Sequence, residues 1–150
     1  MKRNENLLIF SHEHHHGLIF CSRLLKAKNA SEAVLLEYIL DFWDNYLDEH
    51  FINEEKLFLP LLDDEELTAR FLYEHKQINE LVSKIKSSTE DLHLDALELS
   101  KLINDHIRFE ERIFFPWLED KFTLEELSVV GKELEEIEIT EHRFSDEFWK

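Results

Sequence analysis

The sequence predicts an all-α fold, in which an antiparallel up-down-up-down four-helix bundle carries an additional C-terminal helix. Only two Gly and two Pro occur in 150 residues, which leaves little material for hairpin turns. Apolar residues recur at spacings of three and four, as on one face of a helix. Because the predicted connections are only a few residues long, consecutive helices become antiparallel neighbours. With 43% apolar residues, the length predicts a single domain over residues 1–150.

Five helices are predicted, each from its apolar periodicity and its end signals. They lie near 12–28, 32–59, 65–86, 92–116 and 124–138. Their candidate N-caps are Ser11, Ser31, Asp64 and Thr123, and Thr123 opens a capping box with Glu126. Pro60 and Pro116 mark where two of the helices stop or kink. The first four helices would form the bundle core, at about 11–118, and the C-terminal helix and tail would occupy about 123–150.

The charge balance narrows the classes of partner. A formal net charge of −17 repels phosphate backbones and anionic lipid headgroups, so we expect neither nucleic acid nor a membrane as a partner. No apolar run approaches the roughly 20 residues of a bilayer span, and no export signal opens the chain. The single cysteine, Cys21, cannot form an internal disulfide and is expected in the core. These features together predict a cytoplasmic protein.

An internal repeat relates the second and fourth helices. The chain reads HFINEEKLFLPLL from His50 and HIRFEERIFFPWL from His106, at an offset of 56 residues. Because 56 residues are eight heptads, the helical phase is retained between the two copies. Each half of the chain therefore contributes one equivalent long helix.

Histidines and glutamates converge on the predicted bundle interior. His14 and His75 continue the apolar stripes of the first and third helices, so each of the four helices puts one histidine inward. At about 1.5 Å per residue, the four histidines lie within roughly one turn of the same height. Two glutamates follow the repeat histidines by four residues and share their faces. The resulting layer consists of His14, His50, Glu54, His75, His106 and Glu110.

Such a layer requires a cation. A lone histidine on an apolar stripe is usually a satisfied core residue, but four coincident stripes with two phased glutamates reverse that expectation. Buried ionised carboxylates without a partner cost several kcal/mol each. Mixed imidazole and carboxylate ligands suit iron, manganese or zinc, and the layer has enough ligands for two ions.

The motifs that carry this layer resemble those of hemerythrin-like, HHE cation-binding domains. The resemblance covers about 11–118 and rests on EHHHGL at 13–18, HFINEEKLFLP at 50–60, EH at 74–75 and HIRFEERIFFP at 106–116. It implies two non-haem iron ions bridged by two carboxylates and an oxo or hydroxo group, with manganese or zinc as substitutes. It also implies an open position for O₂ or a related small ligand. Its implied metal ligands are His14, His50, Glu54, His75, His106 and Glu110.

Two departures separate the chain from the oxygen carriers of that family. Those proteins have HxxxH on the third helix, whereas the second position here is Asn79. They place the last bridging carboxylate five residues after its histidine, so Glu111 competes with Glu110, and the internal repeat favours Glu110. The set of four histidines and two glutamates is more similar to the hemerythrin-like domain of bacterial iron–sulfur-cluster repair proteins.

Several neighbouring residues have two interpretations each. His15 supplies the missing ligand or a hydrogen bond to a ligand, or it faces solvent, while His12 and His16 lie off the stripe. Tyr46 packs in the core or donates to a bridging oxygen, and the core is favoured. Glu55 and Glu111 are expected in solvent or paired with Lys56 and Arg112, and His93 and His142 show no partner pattern. Four aromatic residues either form a dry wall around the metals or pack as ordinary core residues, and they are Trp43, Phe109, Phe114 and Trp117.

Three functional hypotheses follow. The leading one is a di-iron protein that binds O₂, NO or peroxide, or that senses iron or redox state, and so is a binding or sensing protein rather than an enzyme. The second is a di-iron enzyme of oxidant or NO detoxification, or of iron–sulfur cluster repair. The third is a metal-free acidic helical module that binds a protein partner, whose identity the sequence does not indicate.

Overall fold

The computed structural model describes residues 3–87, 89–134 and 144–150, and within these ranges it is all-helical, without a β-strand. The α-helices are α1 (Leu8–Leu25), α2 (Glu32–Phe42), α3 (Asp48–Phe58), α4 (Glu65–Ser87), α5 (Leu92–Phe109), α6 (Phe115–Lys121) and α7 (Leu124–Leu134). Short 3₁₀ turns and π-helical segments join some of them into five rods, at 5–25, 32–61, 65–87, 92–121 and 124–134. Across the described residues, no helix has both the length and the apolar character needed to cross a membrane.

The first helix begins earlier than the sequence predicted. α1 starts at Leu8 directly after a 3₁₀ turn at Glu5–Leu7, so Ser11 lies inside the helix and its prediction as an N-cap is wrong. The cap is Asn4, whose side chain accepts the Asn6 N–H at 2.9 Å. Leu7 and Phe10 are fully buried, and this tertiary packing decides where the helix begins. The helix also ends at Leu25, earlier than the predicted 28.

The second and fourth rods each contain one π-helical segment. In the second rod, Trp43–Leu47 joins α2 to α3, and the rod ends in the 3₁₀ turn Leu59–Leu61, where Pro60 was predicted to stop it. In the fourth rod, Glu110–Phe114 joins α5 to α6, so the predicted end at 116 is wrong and the rod reaches Lys121. Pro116 lacks a backbone N–H, but it lies at the start of α6, just after the wider π turn, and it does not end the rod.

Most predicted helix starts are confirmed. Ser31 and Asp64 each accept a backbone N–H three residues ahead, at 3.2 and 3.0 Å. Thr123 and Glu126 form the reciprocal capping box, with N···O distances of 3.0 and 3.1 Å. Asp91 caps α5 in the same way, which the sequence analysis did not identify. The predicted last helix is seen to Leu134, while positions 135–138 and His142 lie outside the described residues.

Two apolar clusters divide the core, and the candidate ligands lie between them on all four long rods. The first cluster contains Phe20 and Ile103, and the second contains Phe10, Phe58 and Phe114. Along each rod, the buried histidine lies near the point where one cluster ends and the other begins, with Phe51 and Ile107 of the first cluster directly after His50 and His106. The order of the clusters reverses from each of these rods to the next. The polar layer is therefore closed by apolar packing above and below.

α1 and α5 pack closely along the length of α1. A Cβ added at Gly17 would lie 2.9 Å from Cδ1 of Ile107, so only glycine fits here without a shift of that side chain. Further along, Ser100 Oγ donates to the Cys21 carbonyl at 3.0 Å. Cys21 is buried and its thiol is free, as predicted for a core residue.

The C-terminal residues 144–150 return to the surface of α1 and α2. Phe144, Phe148 and Trp149 place their rings 5.0–5.4 Å from the ring of Tyr38. The Arg23 guanidinium lies 4.0 Å from the centre of the Trp149 ring, which is a cation–π contact. This segment packs against the first apolar cluster.

Candidate metal centre

Six buried side chains meet between the two apolar clusters. All are at most 4% exposed, and Glu54 and Glu110 have no exposed surface. They form two groups of four, His14–His50–Glu54–Glu110 and Glu54–His75–His106–Glu110, and in each group one candidate ligand atom per residue lies within 4.8 Å of the others. The two groups share both glutamates. Each group could hold one cation, with Glu54 and Glu110 between the two cations.

Helical geometry explains the position of both shared glutamates. Glu54 follows His50 by one turn of α3, and the atoms Nε2 of His50 and Oε1 of Glu54 are 3.3 Å apart. Glu110 follows His106 by the same spacing, where α5 passes into its π segment, and the corresponding distance is 3.1 Å. The repeated motif therefore delivers one imidazole and one carboxylate from each of two rods.

The other two rods complete the layer with one histidine each. Nε2 of His14 lies 3.0 Å from Oε1 of Glu110, and Nε2 of His75 lies 3.2 Å from Oε1 of Glu54. Nε2 of His75 also lies 3.1 Å from Nε2 of His106. All four imidazoles thus turn Nε2 toward the shared carboxylates.

A second set of carboxylates surrounds the histidines from outside, and we call these four residues the outer glutamates. Each lies against Nδ1 of one histidine, in the pairs Glu13–His50 (3.3 Å), Glu55–His75 (3.4 Å), Glu74–His106 (2.7 Å) and Glu111–His14 (3.4 Å). Every outer glutamate stands on one rod and contacts the histidine of the next, and the last pair returns from the fourth rod to the first. The four rods are joined in a closed ring of carboxylate–histidine contacts.

The outer glutamates correct two expectations of the sequence analysis. Glu55 and Glu111 were predicted in solvent or paired with Lys56 and Arg112. Glu111 contacts His14 and Arg3 instead, and Glu55 contacts His75 although its side chain is 40% exposed. A signal for them was present in the sequence. Each EH pair and each EE pair places one glutamate next to a candidate ligand in the sequence. On a helix, that glutamate lies about 100° around the axis from the ligand.

The outer contacts favour a proton on Nδ1 most directly at His50 and His106, whose Nδ1 atoms are hydrogen-bonded to a carboxylate. Within the described residues, Nδ1 of His14 and Nδ1 of His75 form no hydrogen bond. Nε2 of His75 and Nε2 of His106 lie 3.1 Å apart, within hydrogen-bond distance. Two facing lone pairs repel unless a proton or a metal ion lies between them. The geometry of this pair fits a bound cation.

The shared carboxylates show the same requirement. Within the described residues, neither oxygen of Glu54 has a hydrogen-bond partner, although both are buried. Burial opposes charge on His50, but Glu54 and Glu13 outweigh it and raise the pKa of His50 to about 9. Burial likewise raises the pKa of Glu54, while the charge of His50 and contacts with other imidazoles hold that pKa well below its usual value. A pair of buried carboxylates that attracts positive charge this strongly matches a cation site.

Aromatic rings enclose the layer. Phe115 is stacked on His14 with 5.5 Å between ring centres, and Phe51 lies 4.7–5.6 Å from three of the histidine rings. Of the residues predicted for this wall, Phe109 lies 6.1 Å from His106. Phe114 packs on the rings of Phe58, Phe71 and Phe115, Trp43 on Phe51 and Trp117 on Phe114, all one shell further out. Phe51 and Phe115 were not predicted as part of this wall.

The remaining candidates lie outside the two groups of four. His12 and His15 are exposed, and Tyr46, which was predicted in the core, is half-buried with its ring stacked on His16. Asn79 donates from Nδ2 to the His75 carbonyl at 2.8 Å, one turn along its own helix. His93 contacts the Ala30 carbonyl at 2.9 Å, which ties α5 to the connection after α1.

Within the described residues, an all-helical structure with two buried His/Glu groups able to hold cations is typical of the class of metal-binding helical proteins. A family model described as the hemerythrin HHE cation binding domain matches residues 6–118. The chain belongs to this family. The comparison with curated proteins finds no match, and neither does the comparison with solved structures.

Proposed function

We propose that this chain holds two iron ions in the buried layer and uses them to bind a small ligand such as O₂, NO or peroxide, as a binding or sensing protein. The proposed ligands are His14, His50, Glu54, His75, His106 and Glu110. One observation carries the proposal: two four-residue groups share two buried carboxylates, so a pair of ions fits this layer better than a single ion.

The proposal includes the antiparallel four-helix bundle predicted from the short connections. Reversal of the two apolar clusters along successive rods supports it, since parallel neighbours would show the clusters in the same order. In such a bundle, the four histidines come from four rods at one height. The polar layer then crosses the bundle once, between its two apolar ends.

The donor set supports iron, with manganese or zinc as substitutes. Imidazole and carboxylate ligands suit these ions, whereas a calcium site would be built from oxygen alone. Iron would supply reversible redox change and affinity for small diatomic or peroxide ligands. The phenylalanine rings around the layer would restrict entry to molecules of that size. Each outer glutamate would fix the orientation of one imidazole and keep its Nε2 available for the ion.

Metal analysis with optical spectroscopy tests the proposal. Protein purified without oxygen is expected to contain two iron ions per chain, and its spectrum is expected to change on addition of O₂, NO or peroxide. His50→Ala and His106→Ala each remove one member of a group and are expected to lose iron and the spectral response. His15→Ala, which changes an exposed histidine of α1, is the matched control and should retain both.

Two results would contradict the proposal. Wild-type protein without stoichiometric metal that stays folded in chelator would favour the metal-free interaction module instead. Sustained turnover of peroxide or NO, in place of stoichiometric binding, would make the protein an enzyme.

A further inference from the structure

A second histidine pair lies on the outer side of α1. His12 and His16 are four residues apart, and their ring centres are 5.3 Å apart with planes at 73°. His12 is exposed, while His16 is partly buried. His14, midway between them, points into the buried layer, and a step of two residues turns a helix by about 200°. The pair therefore faces away from the buried centre.

The spacing of the two rings matches a chelate. A zinc-type ion binds imidazole nitrogen at about 2.1 Å, which places each ring centre about 3.2 Å from the ion, and a tetrahedral angle then separates the ring centres by about 5.2 Å. The observed 5.3 Å agrees with this value. This separation of the ring centres is compatible with one ion bound by both imidazoles.

The helix that carries the pair is held firmly in place. On its inner side, Phe10, His14 and Gly17 are buried. The ring of His16 is also stacked on Tyr46, with 6.2 Å between ring centres and 19° between planes. The backbone of α1 and the ring of His16 are therefore already held in place before an ion binds.

We propose that His12 and His16 form an exposed site for a divalent transition-metal ion such as Ni²⁺, Cu²⁺ or Zn²⁺, separate from the buried layer. Neutral imidazole is a good ligand for these ions, and water completes their coordination. The net charge of −17 raises the concentration of cations near the surface.

The site binds an ion, but the sequence motif that contains it does not supply a glutamate to activate a metal-bound water. Residues 12–16 read HEHHH and so match the HExxH pattern, in which the glutamate activates a metal-bound water. Here Oε1 of Glu13 lies 3.3 Å from Nδ1 of His50, and the Glu13 side chain is only 14% exposed. Glu13 faces the second rod as part of the ring around the buried layer, where its carboxylate contacts His50.

Calorimetric titration of the full-length chain with Ni²⁺ tests this site. The metal content of each protein is measured before and after the titration, so that uptake by the buried layer, which is common to all the proteins, is counted separately. Wild type is expected to take up one more Ni²⁺ per chain than His12→Ala or His16→Ala. His15→Ala is the matched control, because it removes a neighbouring exposed histidine that is not part of the pair, and it should retain the additional ion.

The same titration can overturn the inference. Equal Ni²⁺ uptake by wild type and His12→Ala would show that the pair holds no ion. Loss of the additional ion in His15→Ala, to the same extent as in the other two variants, would place the ion elsewhere on the histidine run. Either result leaves the buried centre untouched, because its metal content is measured independently.

Discussion

The two sides of the buried layer differ in how their outer glutamates are held. Around Glu110, Glu111 and Glu74 contact His14 and His106 from outside, and each of these two outer glutamates forms an ion pair with an arginine. Arg3 lies 3.3 Å from Glu111, and Arg70 lies 2.9 Å from Glu74. Ser11 adds a hydrogen bond to Glu111 at 3.1 Å.

Around Glu54, His50 and His75 contact Glu13 and Glu55 at 3.3 and 3.4 Å. Within the described residues, neither of these outer glutamates forms an ion pair with arginine or lysine. The Glu55 side chain is also 40% exposed. We call the two regions the Glu110 side and the Glu54 side.

Each proposed metal position takes one histidine from each side. Each ion would therefore lie between one imidazole whose outer carboxylate is paired with arginine and one whose outer carboxylate is not. The comparison teaches that a ring of similar carboxylate–histidine contacts can be anchored by arginine on one side only.

The largest effect is expected from the aromatic rings that support the two sides. Phe115→Ala removes the ring stacked on His14, and Phe51→Ala removes the ring that contacts His50 and His75. Each is expected to lower the free energy of unfolding by about 3–5 kcal/mol, because a buried cavity remains. Denaturant titration of the metal-free proteins measures this loss. A loss below about 1 kcal/mol in only one variant would mean that the sides differ in packing.

The next largest effect is expected on metal affinity, and it distinguishes outer glutamates that are paired with arginine from those that are not. Glu74→Ala is expected to weaken metal binding by about 10–100-fold, the usual range for a carboxylate behind a ligand. Glu55→Ala should weaken it less, since water can replace an exposed carboxylate. Competition with a chelator measures both affinities, and Glu37→Ala, on the exposed face of α2, is the control. Equal losses of metal affinity in Glu74→Ala and Glu55→Ala would show that the Glu110 side and the Glu54 side do not differ in this respect.

A smaller effect is expected from the anchoring arginine. The Arg70 side chain is 49% exposed, and exposed ion pairs contribute about 0–1 kcal/mol. Arg70→Ala should therefore weaken metal binding by no more than about fivefold, and Arg70→Lys should recover part of the loss. The same chelator competition measures the change. A loss as large as that of Glu74→Ala would show that Arg70 holds more than one group in place.

The smallest effect is expected in the thiol reactivity of Cys21, which lies where α1 packs against α5, the two helices that carry the histidines of the Glu110 side. Burial raises the pKa of its thiol to about 12, so at pH 8 the native protein holds almost no thiolate. A thiol reagent at pH 8 should label the denatured chain but not the native one. Raising the pH to 9 should leave the native protein unlabelled, because that pH is still below the raised pKa. Rapid labelling of the native protein would show that α1 and α5 separate locally and expose the Cys21 thiol.

Helical periodicity was sufficient to predict most of the fold and the candidate layer. The repeat at His50 and His106 and the stripes through His14 and His75 placed the side chains that the structure brings together. The start of α1 was missed because it depends on Leu7 and Phe10, which pack against distant residues. The π segments were missed because a period of 3.6 residues does not describe a wider turn.

The outer glutamates were missed for a different reason. Glu55 and Glu111 are adjacent to candidate ligands, but their partners stand on neighbouring rods. Periodicity places a residue on one face of its own helix, but it does not indicate which side chain of the neighbouring helix faces that residue. Exposed helix positions are usually solvated, and that general expectation failed where four rods meet around a polar layer.

The number of metal ions per chain tests the central claim most directly. Because Glu54 and Glu110 belong to both groups, wild-type protein should contain two ions, and either Glu54→Ala or Glu110→Ala should lose both. Glu37→Ala should retain two. Wild type with one ion or none, or two ions retained in both shared-glutamate variants, would contradict the account.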